Sequence, residues 1–303
     1  MTQQVAFLGL GVMGFPMARH LHQTGFSTHV YNRTIDKAQH WINEQNLDSS
    51  HLHVQVASAV KYANVVCMCL GNDNDVRSVF YGENGVLENM PSGSVLIDHT
   101  TGSQTLALEL HMACAQKGIG FIDAPVSGGQ AGAENGQLTI MCGGNEAIYA
   151  NVETILNAYS RHHQLLGSAG SGQLAKMMNQ ICIAGIVQGL SEAIHFGEHA
   201  GLDTQSVINV ISKGAAQSWQ MDNRAATMIK GEYDFGFAVD WMRKDLGIAL
   251  DAARQNGSTL PLTALVDQFY ADVQQSGGGR LYNSSFLSRL YTKKKTCYLG
   301  NIL

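Results

Sequence analysis

The sequence is poor in charge. Asp, Glu, Lys and Arg make up 14% of 303 residues, and the formal net charge is −5. No basic face for nucleic acid is implied, and the one cationic run, Lys293-Lys294-Lys295, reads as a solvated tail. Long apolar runs are also missing: no stretch approaches the roughly 18 residues that a membrane crossing needs. Neither a basic n-region nor a cleavage site precedes the first strand-like run, so a cytoplasmic location is expected. Cysteine occurs at Cys67, Cys69, Cys114, Cys142, Cys182 and Cys297, without any CxxC. Buried, reduced thiols are expected there rather than disulfides or a zinc site. The 12 histidines include no HExxH or other metal spacing, so no metal is expected. The adjacent His162 and His163 read as a surface pair.

What is present is apolar patterning. Hydrophobic residues reach 45%, enough for a sizeable core, and the length suggests about two domains. The chain opens with Val5-Ala6-Phe7-Leu8, an apolar run of the kind found in buried parallel strands. Gly9-x-Gly11-x-x-Gly14 follows, then a helical pattern. Gly9 allows the tight strand-to-helix turn, Gly11 lets backbone approach a pyrophosphate, and Gly14 lets helix and strand pack closely. The N–H groups of Val12, Met13 and Gly14 at the helix start, with the helix dipole, favour phosphate charge. Pro16 fits the first helical turn, where an N–H would lack a partner. A nicotinamide dinucleotide is the expected cofactor.

The second strand, Ser27–Tyr31, ends where ribose recognition should lie, roughly 20 residues on. Asn32, Arg33 and Thr34 stand there without an acidic residue. Arg33 can fork onto a 2′-phosphate, so NADP is favoured, with NAD possible. Strands and helices then alternate: a helix over Asp36–Gln45, a strand over Val54–Val56, a helix over Ala57–Ala63, and strands at Val65–Leu70, Ser94–Asp98, Gly120–Ala124 and Leu138–Cys142. This alternation predicts βαβ units and a doubly wound parallel sheet, with ligands beyond the carboxyl ends of its strands. Leu70, Gly71, Thr101 and the loop after Asp123 fall at such ends.

From about Gly170 strand signals cease. Gln173–Ala200 predicts one long helix stopped by Gly201. The expected fold is therefore α/β: a dinucleotide-binding domain over residues 1–165, then an all-α substrate and oligomerisation domain over 166–303 built on that helix. Lys176, Asn179 and Gln180 fall at i, i+3 and i+4, on one helical face. A buried lysine there, beside a cationic nicotinamide, would have its proton affinity lowered towards that of a general acid/base. An exposed helix start is the plainer account. Asp123-Ala124-Pro125-Val126-Ser127-Gly128-Gly129 follows a strand, and its hydroxyl and bare N–H groups suit a carboxylate. Lys244 lies four residues after Asp240, which predicts a surface ion pair on a helix.

These motifs, in this order, resemble the β-hydroxyacid dehydrogenase family. That family comprises 3-hydroxyisobutyrate dehydrogenases, tartronate semialdehyde reductases, succinic semialdehyde (glyoxylate) reductases and the longer 6-phosphogluconate dehydrogenases. The likeness extends to about Leu290. GLGVMGFPMARHL resembles the cofactor fingerprint, DAPVSGG the substrate signature, GSGQLAKMMNQ the catalytic signature and RKDLG the C-terminal lysine motif. The resemblance implies a Rossmann domain joined to helices, a small carboxylate substrate, and a homodimer or homotetramer. It implies that Lys176 is catalytic, that Ser127, Gly128, Gly129, Asn179, Gln180 and Lys244 bind substrate, and that Leu70, Gly71, Thr101, Phe235 and Lys244 line the cofactor.

There are departures. Gln180 replaces the Asn of many members, though tartronate semialdehyde reductases often share Asn-Gln. Gly71 replaces a common Pro, and Asp75 stands where some members place a cofactor-contacting Asn. Gly277-Gly278-Gly279-Arg280 resembles one 3-hydroxyisobutyrate dehydrogenase subgroup. Two alternatives stand beside this reading. One is a non-catalytic dinucleotide sensor, against which Lys176 speaks. The other is a 6-phosphogluconate dehydrogenase-like enzyme, for which the chain is short and lacks an arginine cluster.

Overall fold

Strand β1 (Gln4–Leu8) is buried on both faces because its side chains alternate between two apolar layers. Val5 and Phe7 join Val30, Cys67, Ile97 and Ile122 in one layer. Ala6 and Leu8 join Val66, Met68, Leu96 and Phe121 in the other. The computed structural model describes residues 3–291; Lys293, Lys294, Lys295 and Cys297 lie outside them. The chain divides into two compact units, broken between Lys176 and Met177.

The first unit continues with α1 (Gly14–Gln23), β2 (Ser27–Tyr31), α2 (Ile35–Glu44), β3 (Leu52–His53), α3 (Val56–Val60) and β4 (Val65–Met68). Then come α4 (Asp73–Tyr81), α5 (Val86–Asn89), β5 (Val95–Asp98), α6 (Gln104–Gln116) and β6 (Gly120–Asp123). The unit is completed by β7 (Val126–Ser127), α7 (Gly129–Glu134), β8 (Leu138–Gly144), α8 (Glu146–Asn157) and β9 (Ser160–Leu165). Its nine-stranded sheet runs β3-β2-β1-β4-β5-β6-β8-β7, with β9 also on β8. The strand order reverses between β1 and β4, so the loops after these two strands flank the crevice where doubly wound sheets bind ligands.

Three sequence expectations need correction here. The sheet is parallel through β6, but β8 pairs antiparallel with both β6 and β7. Only two residues separate β6 from β7, and β8 runs back along both after the connection over residues 128–137. The strand expected at Val54–Val56 lies upstream as the two-residue β3. A single 3-10 turn, Ser49–His51, capped by the Asp48 carboxylate, ends the preceding loop early and leaves Val54 exposed. His162 and His163 lie in β9, and only His162 is exposed; the His163 ring bonds the Tyr149 hydroxyl at 2.6 Å.

Helix α9 (Ser171–His199) begins in the first unit and runs 29 residues, about 40 Å at 1.5 Å per residue. The second unit adds α10 (Thr204–Ile211), α11 (Trp219–Lys230), α12 (Val239–Asn256), α13 (Pro261–Gln275) and α14 (Phe286–Leu290). Local chemistry sets these bounds. Asp203 and Ser218 cap α10 and α11, Pro261 opens α13, and Gly231 and Gly257 end α11 and α12 in the left-handed region. Ala184, Val187, Met242, Leu246, Val266 and Tyr270 form one core, with Tyr270 stacked on Phe286. Cys67, Cys114 and Cys142 are buried as expected, and burial pushes each thiol up to about 12. Cys69 is half-buried and Cys182 is exposed, because Cys182 falls on the outer side of α9. Among the described residues no helix is long and apolar enough to cross a membrane.

Candidate active site

In the first unit the glycine loop is shaped by its neighbours. Gly9 has φ +100°, and a Cβ there would lie 2.4 Å from the Cys69 carbonyl oxygen. A Cβ on Gly14 would lie 1.9 Å from the Gly9 carbonyl oxygen. Packing therefore demands glycine at both positions. Gly11 differs: a Cβ there would meet nothing within 4 Å. Protein packing leaves Gly11 unexplained, whereas close approach of a ligand to the backbone explains it. Val12 beside it is 50% exposed, and Met13 caps α1 without a side-chain hydrogen bond. Together with the reversal of strand order beside them, these residues fit the diphosphate of a nicotinamide dinucleotide.

Beyond β2, Asn32 is a brace for this loop. Its Oδ1 accepts from the Leu10 N–H at 2.9 Å and its Nδ2 donates to the Thr34 carbonyl at 2.9 Å. Arg33 is exposed, and its guanidinium reaches Asp75 at 3.4 Å. That pair is a weak surface contact, so Arg33 can turn to an anion. Asp75 is itself held by Asn72, the N-cap of α4. Past β4, the Leu70 N–H donates to the Thr100 hydroxyl at 3.0 Å, which joins the Leu70-Gly71 and Thr100-Thr101 loops.

The start of α9 is clamped to this edge. Both Asp123 carboxylate oxygens are used: Oδ1 accepts from the Gly170 N–H at 2.7 Å and Oδ2 from the Gln173 N–H at 2.9 Å. Burial pushes Asp123 up to about 6 despite these bonds. Gln173 in turn accepts from the Gly102 N–H and donates to the Thr100 carbonyl. Lys176, one turn on and 6% exposed, donates from Nζ to the Val126 carbonyl at 2.9 Å. Val126 directly precedes Ser127, Gly128 and Gly129, whose glycines have φ +132° and +62°. The structure thus brings the lysine to the expected carboxylate loop, and the exposed-helix-start account of Lys176 does not hold. In the sequence Asp123 and Gln173 stand only as members of the DAPVSGG and GSGQLAKMMNQ motifs, with no role of their own. The one available signal was an Asp at a strand end, ahead of a Gly-Ser-Gly helix start.

Behind this layer, burial holds the His99 imidazole down to about 4; its ring bonds the Ala124 carbonyl and the Tyr159 hydroxyl. Burial also pushes Asp98 up to about 7, opposed by its hydrogen bonds with Thr100.

In the second unit a polar chain runs from α9 to α12. Asn179 Nδ2 donates to Gln180 Oε1 at 2.8 Å, and Gln180 Nε2 donates to Asp245 Oδ2 at 2.6 Å. The same Nε2 faces the Met242 sulfur at 3.7 Å, so both N–H groups of the Gln180 amide are directed at protein. Lys244 Nζ lies 3.3 Å from Asp245 Oδ1. The expected Lys244–Asp240 pair is not what forms, since Asp240 takes the Gln274 amide instead. Asp245, buried at 1% exposure, is the shared carboxylate; in the sequence it stands only as a member of the RKDLG motif, with no role of its own. Phe235 stands apart from this chain, edge-on to Tyr282 and against Arg224.

The chain has relatives over nearly its whole length. Residues 4–169 match the family described as the NAD binding domain of 6-phosphogluconate dehydrogenase. Residues 170–290 match the NAD-binding family of NADP-dependent 3-hydroxyisobutyrate dehydrogenase. An "Uncharacterized oxidoreductase" of Shewanella frigidimarina is 56% identical over 95% of this chain and 98% of its own length. The 2-hydroxy-3-oxopropionate reductase of Escherichia coli is 31% identical over 95% of this chain and 97% of its own. The structure of Mycobacterium tuberculosis 3-hydroxyisobutyrate dehydrogenase with L-serine matches with a TM-score of 0.86 and 29% identity, covering 96% of this chain and 99% of that one.

Proposed function

The chain belongs to the β-hydroxyacid dehydrogenase family of NAD(P)-dependent oxidoreductases acting on CH–OH donors, and we propose that it interconverts a small β-hydroxyacid and its semialdehyde with NADP(H). A bound nicotinamide dinucleotide supplies or accepts the hydride at the substrate carbon. Lys176 gives the proton to the carbonyl oxygen in reduction and takes it back from the hydroxyl in oxidation. The observation that carries this reading is the Lys176 Nζ, buried and 2.9 Å from the carbonyl of the residue that opens the Ser127-Gly128-Gly129 loop.

Ser127, Gly128, Gly129, Asn179 and Lys244 bind the substrate carboxylate end, as the resemblance of their motifs implies. Gln180 serves as a positioning residue, because its amide orients Asn179 and Asp245. Gly9, Gly11, Val12, Met13 and Gly14 receive the diphosphate, Leu70, Gly71, Thr101, Phe235 and Lys244 line the cofactor, and Asn32 and Thr34 frame the ribose. Arg33 takes the 2′-phosphate and sets the preference for NADP over NAD. On this reading residues 1–165 hold the dinucleotide and residues 166–303 complete the substrate site and a homodimer or homotetramer.

The test is consumption of NADPH and of NADH by purified protein. The panel is succinic semialdehyde, glyoxylate, tartronate semialdehyde and methylmalonate semialdehyde, with 3-hydroxyisobutyrate in reverse. Turnover of one semialdehyde, faster with NADPH, is expected. Dinucleotide binding without turnover of any of them would defeat the proposal in favour of a sensor.

A further inference from the structure

Gln173 lies in the first turn of α9 and is 2% exposed. Each half of its side-chain amide has a backbone partner. Oε1 accepts from the Gly102 N–H at 3.0 Å, and Nε2 donates to the Thr100 carbonyl at 2.8 Å. The two partners flank Thr101, so the amide brackets that residue as a peptide group of a neighbouring parallel strand would. What Gln173 holds is therefore the path of the loop. Three further bonds anchor the same loop elsewhere. The Thr100 N–H donates to Asp98 Oδ1 in β5, the Leu70 N–H beyond β4 donates to the Thr100 hydroxyl, and the Ser103 N–H donates to Asp73 Oδ1 in α4, each at 3.0 Å. These tie the loop to its own sheet edge and to α4; Gln173 ties it to α9.

Lys176 follows three residues after Gln173, on the same side of the helix. Its position has two determinants: the bond from Nζ to the Val126 carbonyl, and the place of the helical turn beneath it. That turn is gripped from two directions. The Gln173 N–H donates to Asp123 Oδ2 in β6, and the Gln173 side chain reaches the loop beyond β5. Both side-chain bonds are buried, so losing either leaves an unpaired backbone group. The pair of partners is also selective. It asks for one donor and one acceptor at the end of a side chain of this length. An amide supplies both, a carboxylate supplies acceptors only, and a protonated carboxyl again supplies one of each.

We propose that Gln173 is a positioning residue for proton transfer, holding the turn of α9 that carries Lys176 in register with the loop of Thr100, Thr101 and Gly102. This rests on the dehydrogenase reading for the role of Lys176 and for Thr101 as a residue that lines the cofactor, and adds what keeps the two aligned. A proton donor misplaced by about 1 Å can cost about 100-fold in rate. A tie between the lysine's helix and the cofactor's loop therefore bears on kcat more than on binding.

The test compares wild type with Gln173→Met and Gln173→Glu. Three quantities are measured: kcat with the semialdehyde that the wild type reduces best, NADPH affinity by fluorescence, and the rate at which acetic anhydride acetylates Lys176, read by peptide mass spectrometry. Gln173→Met keeps the length and removes the amide. It should lower kcat by about tenfold to a hundredfold, weaken NADPH binding less, and let Lys176 acetylate several-fold faster. In Gln173→Glu, burial and the carboxylates of Asp98 and Asp123 favour the protonated carboxyl, which restores one donor and one acceptor. At about pH 6 that variant should recover most of the kcat, and the slow acetylation, that Gln173→Met loses. A merely structural Gln173 would lower the melting temperature and leave kcat per folded molecule and Lys176 acetylation unmoved. Unchanged kcat in Gln173→Met, a kcat loss with Lys176 acetylated at the wild-type rate, or a Gln173→Glu protein no better than Gln173→Met at about pH 6 would overturn the inference. If Gln173→Met does not fold, Gln173→Glu decides alone, and kcat far below wild type at about pH 6 would overturn it. A wild type that reduces no semialdehyde, with the acetylation difference intact, would count against the dehydrogenase reading alone. Wild-type turnover without that difference would count against Gln173 alone.

Discussion

Two glycines in one loop should respond oppositely to the same added methyl group. In Gly14→Ala the new Cβ would stand 1.9 Å from the Gly9 carbonyl oxygen and 2.9 Å from Phe7 Cε1. The first of these is backbone, which cannot rotate away, so α1 and the loop must shift. Overpacking of this kind costs about 1–3 kcal/mol, occasionally more. At roughly 2–4 °C per kcal/mol for a unit of this size, the midpoint of thermal unfolding should fall by about 2–12 °C. In Gly11→Ala the Cβ meets nothing within 4 Å, and Gly11 is not among the positive-φ glycines. Its effect on folding is confined to the unfolded chain, a gain of about 0.4–1 kcal/mol, so the midpoint should hold or rise slightly. The methyl group would nevertheless occupy the space that a diphosphate must enter. Dinucleotide affinity should fall at least about tenfold, or about 1.4 kcal/mol. Differential scanning calorimetry and NADPH titration by fluorescence measure the two effects separately. A Gly11→Ala protein that melts early like Gly14→Ala, or that binds NADPH at wild-type strength, would refute the assignment of this loop.

Other consequences follow from the same contacts. Arg33→Ala should cut the NADPH-over-NADH ratio of kcat/KM by about tenfold to a hundredfold, the loss of one charge-assisted fork; an unchanged ratio would free Arg33 from that role. Asp123→Asn leaves one acceptor for the Gly170 and Gln173 N–H groups and sets an amide N–H against the other. It should cost about 1–3 kcal/mol in urea unfolding and lower kcat more than it weakens NADPH binding. Gln180→Leu should lower kcat by loosening Asn179 and Asp245, and Gln180→Glu should be worse, since it sets a second carboxylate against Asp245.

His99 gives a pH signature. Burial holds it down to about 4, below the ordinary 6.5, so the unfolded chain takes up a proton that the folded one refuses. This imidazole therefore costs no stability above about pH 6.5. The penalty grows as pH falls towards 4, reaching about 3 kcal/mol. Asp98 and Asp123, raised to about 7 and about 6, act in the opposite sense: the folded chain binds their protons first and gains stability as pH falls. His99→Gln removes only the first effect. It should be less stable than wild type at pH 7, where two hydrogen bonds are lost, and should close that gap by about 2–3 kcal/mol at pH 4.5. A gap that does not narrow would show that His99 is not held neutral.

Much of the first unit was legible because its signals are local. Val5–Leu8 announces a strand buried on both faces, Gly9, Gly11 and Gly14 announce the turn, and helix spacing put Lys176, Asn179 and Gln180 on one face. What could not be read depends on partners distant in sequence. Asp123 grips backbone N–H groups 47 and 50 residues away, and Gln180 meets Asp245 at a separation of 65. No spacing rule carries such pairings. The antiparallel β8 was missed for a similar reason, since Leu138–Cys142 reads as a strand in either direction. Lys244 was misassigned because the i, i+4 rule weighs only its own helix, whereas Gln274 on α13 takes Asp240.

The most direct test of the account is the turnover of Lys176→Ala beside its NADPH affinity, using whichever semialdehyde the wild type reduces best. The account predicts kcat lower by about 100- to 10,000-fold, as loss of a positioned general acid entails, with NADPH bound within about twofold of wild type. Near-wild-type turnover would contradict it, and would leave Lys176 as no more than the buried donor to the Val126 carbonyl.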